Sequence, residues 1–273
     1  MAGLDSSPRP DRMPAALLAY AVAVAVFLLV PPYLKASIGP PVAFTLQELA
    51  DLLTPVFVLP LAWRVFEAGA GLRGRPMVAF LVIGAVWIEG QGIHLAANAI
   101  GDAFSHDGAE AFYGTVPGDL DHWLDETLGH WLWHAAWVAL TVLMLAATAG
   151  TAAATRGGAA TTGRPIAGAS VAARRPMAIA AVAARRPMAI AAGAIHGVTF
   201  FLVTVEGVTT ALGIPASLLF LAWSAVRVRR EPGRDPVATF VLVSSIVTLI
   251  GYLGWAALHG WTLPEFSKVG LFG

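Results

Sequence analysis

The chain has 273 residues, of which 57% are hydrophobic and only 12% are charged. Soluble domains carry about 25% charged residues, so this composition indicates a membrane protein. Lysine plus arginine and aspartate plus glutamate number 17 each, and this balance gives no indication of a nucleic-acid partner. Because there is no cysteine, disulfides, thiolate nucleophiles and cysteine-ligated metals are excluded. A metal could be held only by histidine, carboxylate or amide groups.

Seven apolar runs have the length of membrane spans. A helix that crosses about 30 Å of hydrocarbon needs about 20 mostly apolar residues. The runs lie at about 15–34, 42–65, 76–100, 128–149, 188–207, 209–228 and 236–258. They predict an all-α integral membrane protein, a bundle of seven transmembrane helices that forms one polytopic domain over residues 1–273. The first run is too long for a signal peptide, so we expect it to stay as an anchor.

The fifth and sixth runs are separated only by Gly207-Val208-Thr209, which predicts a tight hairpin.

The basic residues predict the orientation of the chain in the membrane. All lysines and arginines except Lys35 and Lys268 lie in the N-terminal segment and in the second, fourth and sixth loops. Cytoplasmic loops are enriched in these residues. We therefore expect a multi-pass protein of the cell membrane, with its N-terminus in the cytoplasm and its C-terminus outside.

The fourth loop contains a direct repeat, because residues 171–181 recur unchanged at 182–192. Two copies cannot stack into a solenoid, and insertions in loops cost little free energy. We interpret the repeat as a tolerated tandem duplication of eleven residues, within a flexible cytoplasmic loop at about 150–187. The alternative is that its arginines contact anionic lipid headgroups.

Ionisable side chains at membrane depth cost about 2.5 to 3.5 kcal/mol at a helix centre, so each is a functional candidate. Glu48 and Asp51 lie one turn apart in the outer third of the second span. Glu89 lies near the centre of the third span, and we expect it to face the bundle. There it would be a metal ligand, a general base, a proton relay or a structural partner of His94. Glu206 ends the fifth span.

Two ladders of polar residues with a period of four frame the outer loop at 101–127. The first would lie on one face of a helix that reached back to about residue 120; it comprises His122, Glu126, His130 and His134. The second is in the third span and comprises His94, Asn98 and Asp102. Two such ladders facing one another would surround a cation. The loop itself adds acids without lysine or arginine, which concentrates cations at this face.

The leading hypothesis is a His/carboxylate metal site at the outer face, enclosed by the second, third and fourth spans. The spacing of His130 and His134 lets two imidazoles bind one ion. The metal ligands would be His94, His130, His134 and Glu126, and the catalytic groups Glu89, Glu126 and Asp51. A donor set without thiolate suits divalent Zn, Fe, Mn or Cu. Such a site would serve a metal-dependent enzyme acting on a lipid or another small apolar substrate at the membrane.

Three alternatives remain open at this point. The first is a cation or proton transporter or channel, with relay groups Glu48, Asp51, Glu89, His94 and Glu206. The second is a haem-binding membrane protein, with His94 and either His130 or His134 as axial ligands. The third is a sensor or assembly subunit without chemistry, in which the histidines only donate hydrogen bonds between helices.

Seven spans with histidines and acids near one face resemble the architecture of a membrane hydrolase superfamily. That superfamily includes alkaline ceramidases and adiponectin-type receptors, whose zinc is held by three histidines. The resemblance implies a zinc-dependent hydrolase. In that superfamily paired histidines lie on the last helix, whereas here the last span offers only His259 and the pair His130 and His134 lies on the fourth. The resemblance therefore covers architecture and not motifs.

Overall fold

The computed structural model describes residues 12–38, 45–69, 71–105, 112, 114–159 and 171–271. Within these residues the protein is predominantly helical, and an isolated β-bridge joins Ser37 to Thr45. The helices are α1 (Met13–Leu29), α2 (Leu46–Ala68), α3 (Arg75–Ser105), α4 (Val116–His122), α5 (His130–Ala159), α6 (Val171–Glu206), α7 (Thr210–Arg230) and α8 (Pro236–Leu258). A π-helical segment at Trp123–Gly129, here called the π turn, joins α4 to α5.

Among the described residues, seven helical segments are long and apolar enough to cross a membrane, which confirms the predicted all-helical bundle and fits a multi-pass membrane protein. They are Met13–Tyr33, Leu46–Ala68, Arg75–Gly101, Val116–Ala149, Arg186–Glu206, Thr210–Arg230 and Pro236–Leu258. The fourth begins earlier than predicted because α4 and the π turn extend α5 toward its N-terminus. The predicted hairpin lies between α6 and α7 at residues 207–209, where Val208 has a φ of 51°.

The segment predicted as a flexible loop at about 150–187 has helix at both of its ends. Helix α5 continues to Ala159, and α6 begins at Val171. The duplicated residues 171–192 thus form the first part of α6. Residues 160–170 and the side chains at 171–185 lie outside the described part of the chain, as does most of the acidic loop at 106–113.

The two ends of the bundle differ in chemistry. One end, called the arginine end, carries Arg12, Arg64, Arg73, Arg75, Arg227, Arg229, Arg230 and Arg234. The opposite end, called the histidine end, is where α2 and α5 begin and where α3, α6 and α8 finish. Helix α3 lies at the edge of the bundle and packs on α2, α5 and the π turn. In the most apolar stretch of its span 28% of the residues are buried, whereas the corresponding share is 50% in α6 and α8.

Helices α6 and α8 approach each other closely through two glycines one turn apart. A Cβ on Gly193 would lie 2.5 Å from the carbonyl oxygen of Phe240, and one on Gly197 would lie 2.5 Å from that of Ser244. Small residues at this spacing let membrane helices bring their backbones into contact. The contact positions His196 between the helices: Trp137 Nε1 donates to its Nε2 at 2.9 Å, and its Nδ1 donates to Ser244 Oγ at 2.8 Å.

A buried ion pair ties three helices together at the arginine end. Arg227 on α7 lies 2.5 Å from the carboxylate of Asp235, which caps α8, and these side chains are only 11% and 8% exposed. The guanidinium also donates to the carbonyl oxygen of Leu145 and, at 3.2 Å, to Thr148 Oγ1, both on α5. Arg227 therefore has a structural role, since its guanidinium is paired with Asp235 and hydrogen-bonded to α5.

The α6–α8 contact gives a first testable prediction. Gly197→Ala places a methyl group against backbone that cannot yield, so we expect a loss of about 1 to 3 kcal/mol of stability, as for an overpacked core. The matched control is Gly254→Ala on α8, where a Cβ meets no atom within 4 Å. Thermal unfolding of both variants in detergent measures the difference. Equal unfolding midpoints would show that the helices are not in backbone contact.

Candidate functional site

Glycine contacts between α3 and the start of α5 bring the two polar ladders together. A Cβ on Gly90 would lie 2.6 Å from the backbone nitrogen of Trp133 and 2.9 Å from the carbonyl oxygen of Gly129. A Cβ on Gly129 would lie 3.1 Å from the backbone nitrogen and the Cβ of His94. The backbones therefore touch, and His94 packs directly on the π turn.

His94 is hydrogen-bonded at both ring nitrogens. Its Nδ1 donates to the carboxylate of Asp125, and the side-chain nitrogen of Asn98 donates to its Nε2 at 3.1 Å. The His94 and Asp125 side chains are 18% and 17% exposed. The ring centre of His94 lies 4.6 Å from that of His130. The predicted facing of the two ladders is therefore present, although the side chain of Asp102 lies outside the described residues.

His130 and His134 stack along α5, with ring centres 5.7 Å apart and an interplanar angle of 6°. Nδ1 of His130 donates a long hydrogen bond, 3.4 Å, to the carbonyl oxygen of Glu126, whose carboxylate lies 3.6 Å from the same nitrogen. His134 is completely buried, and its Nδ1 lies 2.6 Å from Thr209 Oγ1. The buried Nε2 of His134 has no hydrogen-bond partner among the residues that the structure describes.

The contacts of Thr209 are compatible with a proton on Nδ1 of His134. The Thr209 hydroxyl lies 3.5 Å from the carbonyl oxygen of Thr204, to which it can donate. In that arrangement its oxygen accepts the proton on Nδ1 of His134, and Nε2 keeps a free lone pair. The hairpin before α7 thus contacts a histidine of α5.

Helix α2 carries two buried acids near its first turn, of which Asp51 lies near His94. Glu48 is 3% exposed and completes a capping box, in which its carboxylate accepts the backbone N–H of Thr45. Its second oxygen, Oε1, is buried without a hydrogen-bond partner. Asp51 is 9% exposed and lies close enough to His94 for an electrostatic interaction. Asp51, Asp125 and Glu126 together surround His94 with negative charge.

The expectation that Glu89 faces the bundle is wrong, because the side chain is exposed on the outer surface of α3. The helical twist explains the difference. At about 100° per residue, Glu89 and His94 point about 140° apart, so both cannot face the π turn. Since Gly90 and His94 contact α5 and the π turn, Glu89 is directed outward. It does not belong to the candidate site.

Glu206 has a structural role at the histidine end. Its carboxylate accepts the backbone N–H groups of Phe266 at 2.8 Å and Ser267 at 3.3 Å, so it holds the segment after α8 over the bundle. Lys268 in that segment donates to the carboxylate of Glu265, and this hydrogen bond raises the pKa of Lys268. His259 is also structural, because its Nδ1 donates to the carbonyl oxygen of Trp255 at 2.9 Å.

Asp125 and Thr209 are site residues that the spacing argument did not identify. A ladder of period four selects Glu126 and passes over its neighbour. The π turn changes the register, because π-helical hydrogen bonds join residues five apart and not four. Asp125 therefore reaches His94, while His122 is exposed. Thr209 lies in the hairpin, where no periodicity applies.

Among the described residues, no group of three or more histidine or carboxylate side chains is arranged to hold a metal ion as it stands. The observed arrangement is a hydrogen-bonded cluster, here called the histidine cluster. It comprises His94, Asp125, Glu126, His130, His134 and Thr209, with Asp51 beside it. Trp133 packs against it, with its ring centre 3.8 Å from that of His134.

Comparison with known proteins assigns this chain to no family. No protein-family model matches it, and comparisons with curated proteins and with solved structures found no significant similarity. The chemistry of the histidine cluster is therefore inferred from its own geometry.

Proposed function

We propose that this chain is a multi-pass protein of the cell membrane whose histidine cluster binds a divalent metal ion and acts as a metal-dependent enzyme on a lipid or another apolar substrate. The proposal places the N-terminus in the cytoplasm and the histidine end outside. The Zn, Fe, Mn or Cu ions named from the donor types remain the candidates.

One observation carries the proposal: each of the three imidazoles has an acceptor at Nδ1. The acceptors are the Asp125 carboxylate for His94, the Glu126 carbonyl for His130 and the Thr209 hydroxyl for His134. Histidines that bind a metal through one ring nitrogen regularly donate from the other to such groups, which fixes the tautomer and the ring orientation. The unpartnered Nε2 of His134 is a buried lone pair that a cation would satisfy.

The ring separations also fit a shared ion. A metal–nitrogen bond is about 2.0 to 2.1 Å long, so two imidazoles on one tetrahedral ion have ring centres about 5 Å apart. The observed separations are 4.6 Å between His94 and His130 and 5.7 Å between His130 and His134. Binding at His94 would replace the hydrogen bond from Asn98 to its Nε2.

Each protein group then has a definite task. When bound, a divalent metal would supply Lewis acidity and a water molecule of lowered pKa. Asp125 orients His94, and Asp51 adds negative charge from α2. Glu126, whose side chain is 36% exposed, is the carboxylate best placed to exchange protons with solvent. Trp123 on the π turn and Trp131 on α5 are exposed at the histidine end. In a membrane they would lie at the interface, where an apolar substrate would enter.

The other candidates have less support. A transporter would need relay groups through the bundle, but Glu89 is exposed and Glu206 is committed to the C-terminal segment. Both ring nitrogens of His196, the titratable group nearest mid-bundle, are already hydrogen-bonded. A haem between His94 and His130 would need a macrocycle between rings whose centres are 4.6 Å apart, which leaves no space for it.

The first prediction from this proposal concerns metal content. Purified protein should carry about one divalent metal ion per chain, and a His130→Ala, His134→Ala double variant should carry none, because two of three imidazoles are lost. Elemental analysis of monodisperse protein in detergent measures both. The control is a His122→Ala, His259→Ala double variant, which removes two histidines outside the histidine cluster from the same end and should keep the metal. A wild-type protein without stoichiometric metal would refute the proposal.

The second prediction tests Asp125 as the group that orients His94. Asp125→Asn should weaken zinc binding about 10- to 100-fold while leaving the saturated stoichiometry unchanged. Competition against a chromophoric chelator measures the affinity. Asp119→Asn is the matched control, since Asp119 is an exposed acid of α4 without contact to the histidine cluster. Equal affinities for the two variants would remove Asp125 from the metal site.

The third prediction concerns orientation, and the absence of cysteine makes single-cysteine labelling clean. Ser267→Cys at the histidine end should react with a membrane-impermeant maleimide in intact cells. Arg73→Cys at the arginine end should react only after lysis. The physical reason is the retention of arginine-rich loops on the cytoplasmic side. Labelling in the opposite pattern would reverse the proposed orientation.

A further inference from the structure

Glu89 is an ionisable side chain near the middle of the α3 span, on the face of the helix that is turned away from the bundle. The α3 span runs from Arg75 to Gly101, and no other described charged residue lies so near the middle of a span. The side chain is exposed and makes no hydrogen bond or ion pair with any described residue. In a bilayer this surface faces hydrocarbon, where a carboxyl group without a partner is strongly disfavoured.

The surface around Glu89 is shaped for close contact with another helix. At about 100° per residue, three small residues lie within about 60° of Glu89 on the same exposed face; they are Ala85, Gly92 and Ala96. A Cβ on Gly92 would meet no atom within 4 Å, so the space beside it is open, although the larger exposed Val82 lies on the same face. Small residues of this kind let membrane helices approach until polar side chains bond across the interface.

We propose that this face of α3 is the interface with a second copy of the chain, in which the two α3 helices cross and the two Glu89 carboxyl groups bond to each other. A two-fold axis brings each residue at its centre against itself, so such an interface must be self-complementary. A protonated carboxyl group both donates and accepts, and a pair of them satisfies this requirement.

A second copy fits this face better than a different protein. An unlike partner would have to supply a donor at the same depth, whereas Glu89 of a second copy lies at that depth by symmetry. The exposed faces of the other spans contain no described charged residue near mid-span that would mark an additional interface. This inference is independent of the metal proposal, since Glu89 lies outside the histidine cluster.

The experiment uses the full chain in lipid vesicles. Because the chain has no cysteine, Ala85→Cys and Ala96→Cys introduce single thiols on either side of Glu89, and oxidation should link two copies. Ile250→Cys, on the exposed surface of α8, is the control that should not link. A lack of linkage for both α3 variants, with monomers counted by single-molecule photobleaching, would overturn the proposal.

Three further α3 variants and one control on α8 test the chemistry of the contact. Gly92→Leu fills the open space and should weaken dimerisation about tenfold or more, whereas the control Gly254→Leu, in equally open space on α8, should not. Glu89→Leu removes the hydrogen bonds and should weaken it about tenfold. Glu89→Gln should keep most of it, because an amide also donates and accepts. Dimerisation unchanged by both Gly92→Leu and Glu89→Leu would show that another surface forms the dimer.

Discussion

The backbone contact between α3 and the π turn is the constraint on which the histidine cluster depends. A Cβ at Gly90 would clash with the backbone of α5 and one at Gly129 would press on His94, so the two segments meet at backbone distance. At that distance a short residue such as Asp125 can reach His94, and two imidazoles from different helices can lie 4.6 Å apart. Larger residues at the two glycines would separate the helices and leave buried polar groups without partners.

Hydrocarbon offers no hydrogen bonds, so each polar group of the bundle needs a partner within the protein. The polar groups can therefore be sorted into those that have such a partner and those that do not. His196 and Arg227 have a partner for each group that faces the protein, so they are explained by packing alone. Among the described residues, the Nε2 of His134 is one of seven buried side-chain atoms without a partner. Glu89 has no partner among these residues and lies on an outward face. In our proposals a metal ion inside the bundle would satisfy the first group, and a second copy of the chain would satisfy the second.

The fold was largely predictable because hydropathy and the positions of arginine act over whole helices. Spans, their number and the α6–α7 hairpin follow from such averages. The histidines of the histidine cluster could be predicted, because the spacing of four between His130 and His134 places both on one face of α5. Asp125 and Glu89 could not be placed correctly, because each depends on one local rotation: the π turn for Asp125 and the glycine-determined orientation of α3 for Glu89. A periodicity measured over a whole span does not contain either rotation.

Helix α3 carries the histidine cluster on one face and the proposed dimer contact on the other. Only 28% of the most apolar stretch of its span is buried, and within the described residues the bundle supports it on the side of α2, α4, α5 and the π turn. A second copy would support the remaining side and hold α3 against the π turn. Because coupling between two binding events is reciprocal, a ligand that requires the α3–π turn contact would also favour the dimer. In the proposed dimer, assembly and the integrity of the histidine cluster would thus both depend on the packing of α3.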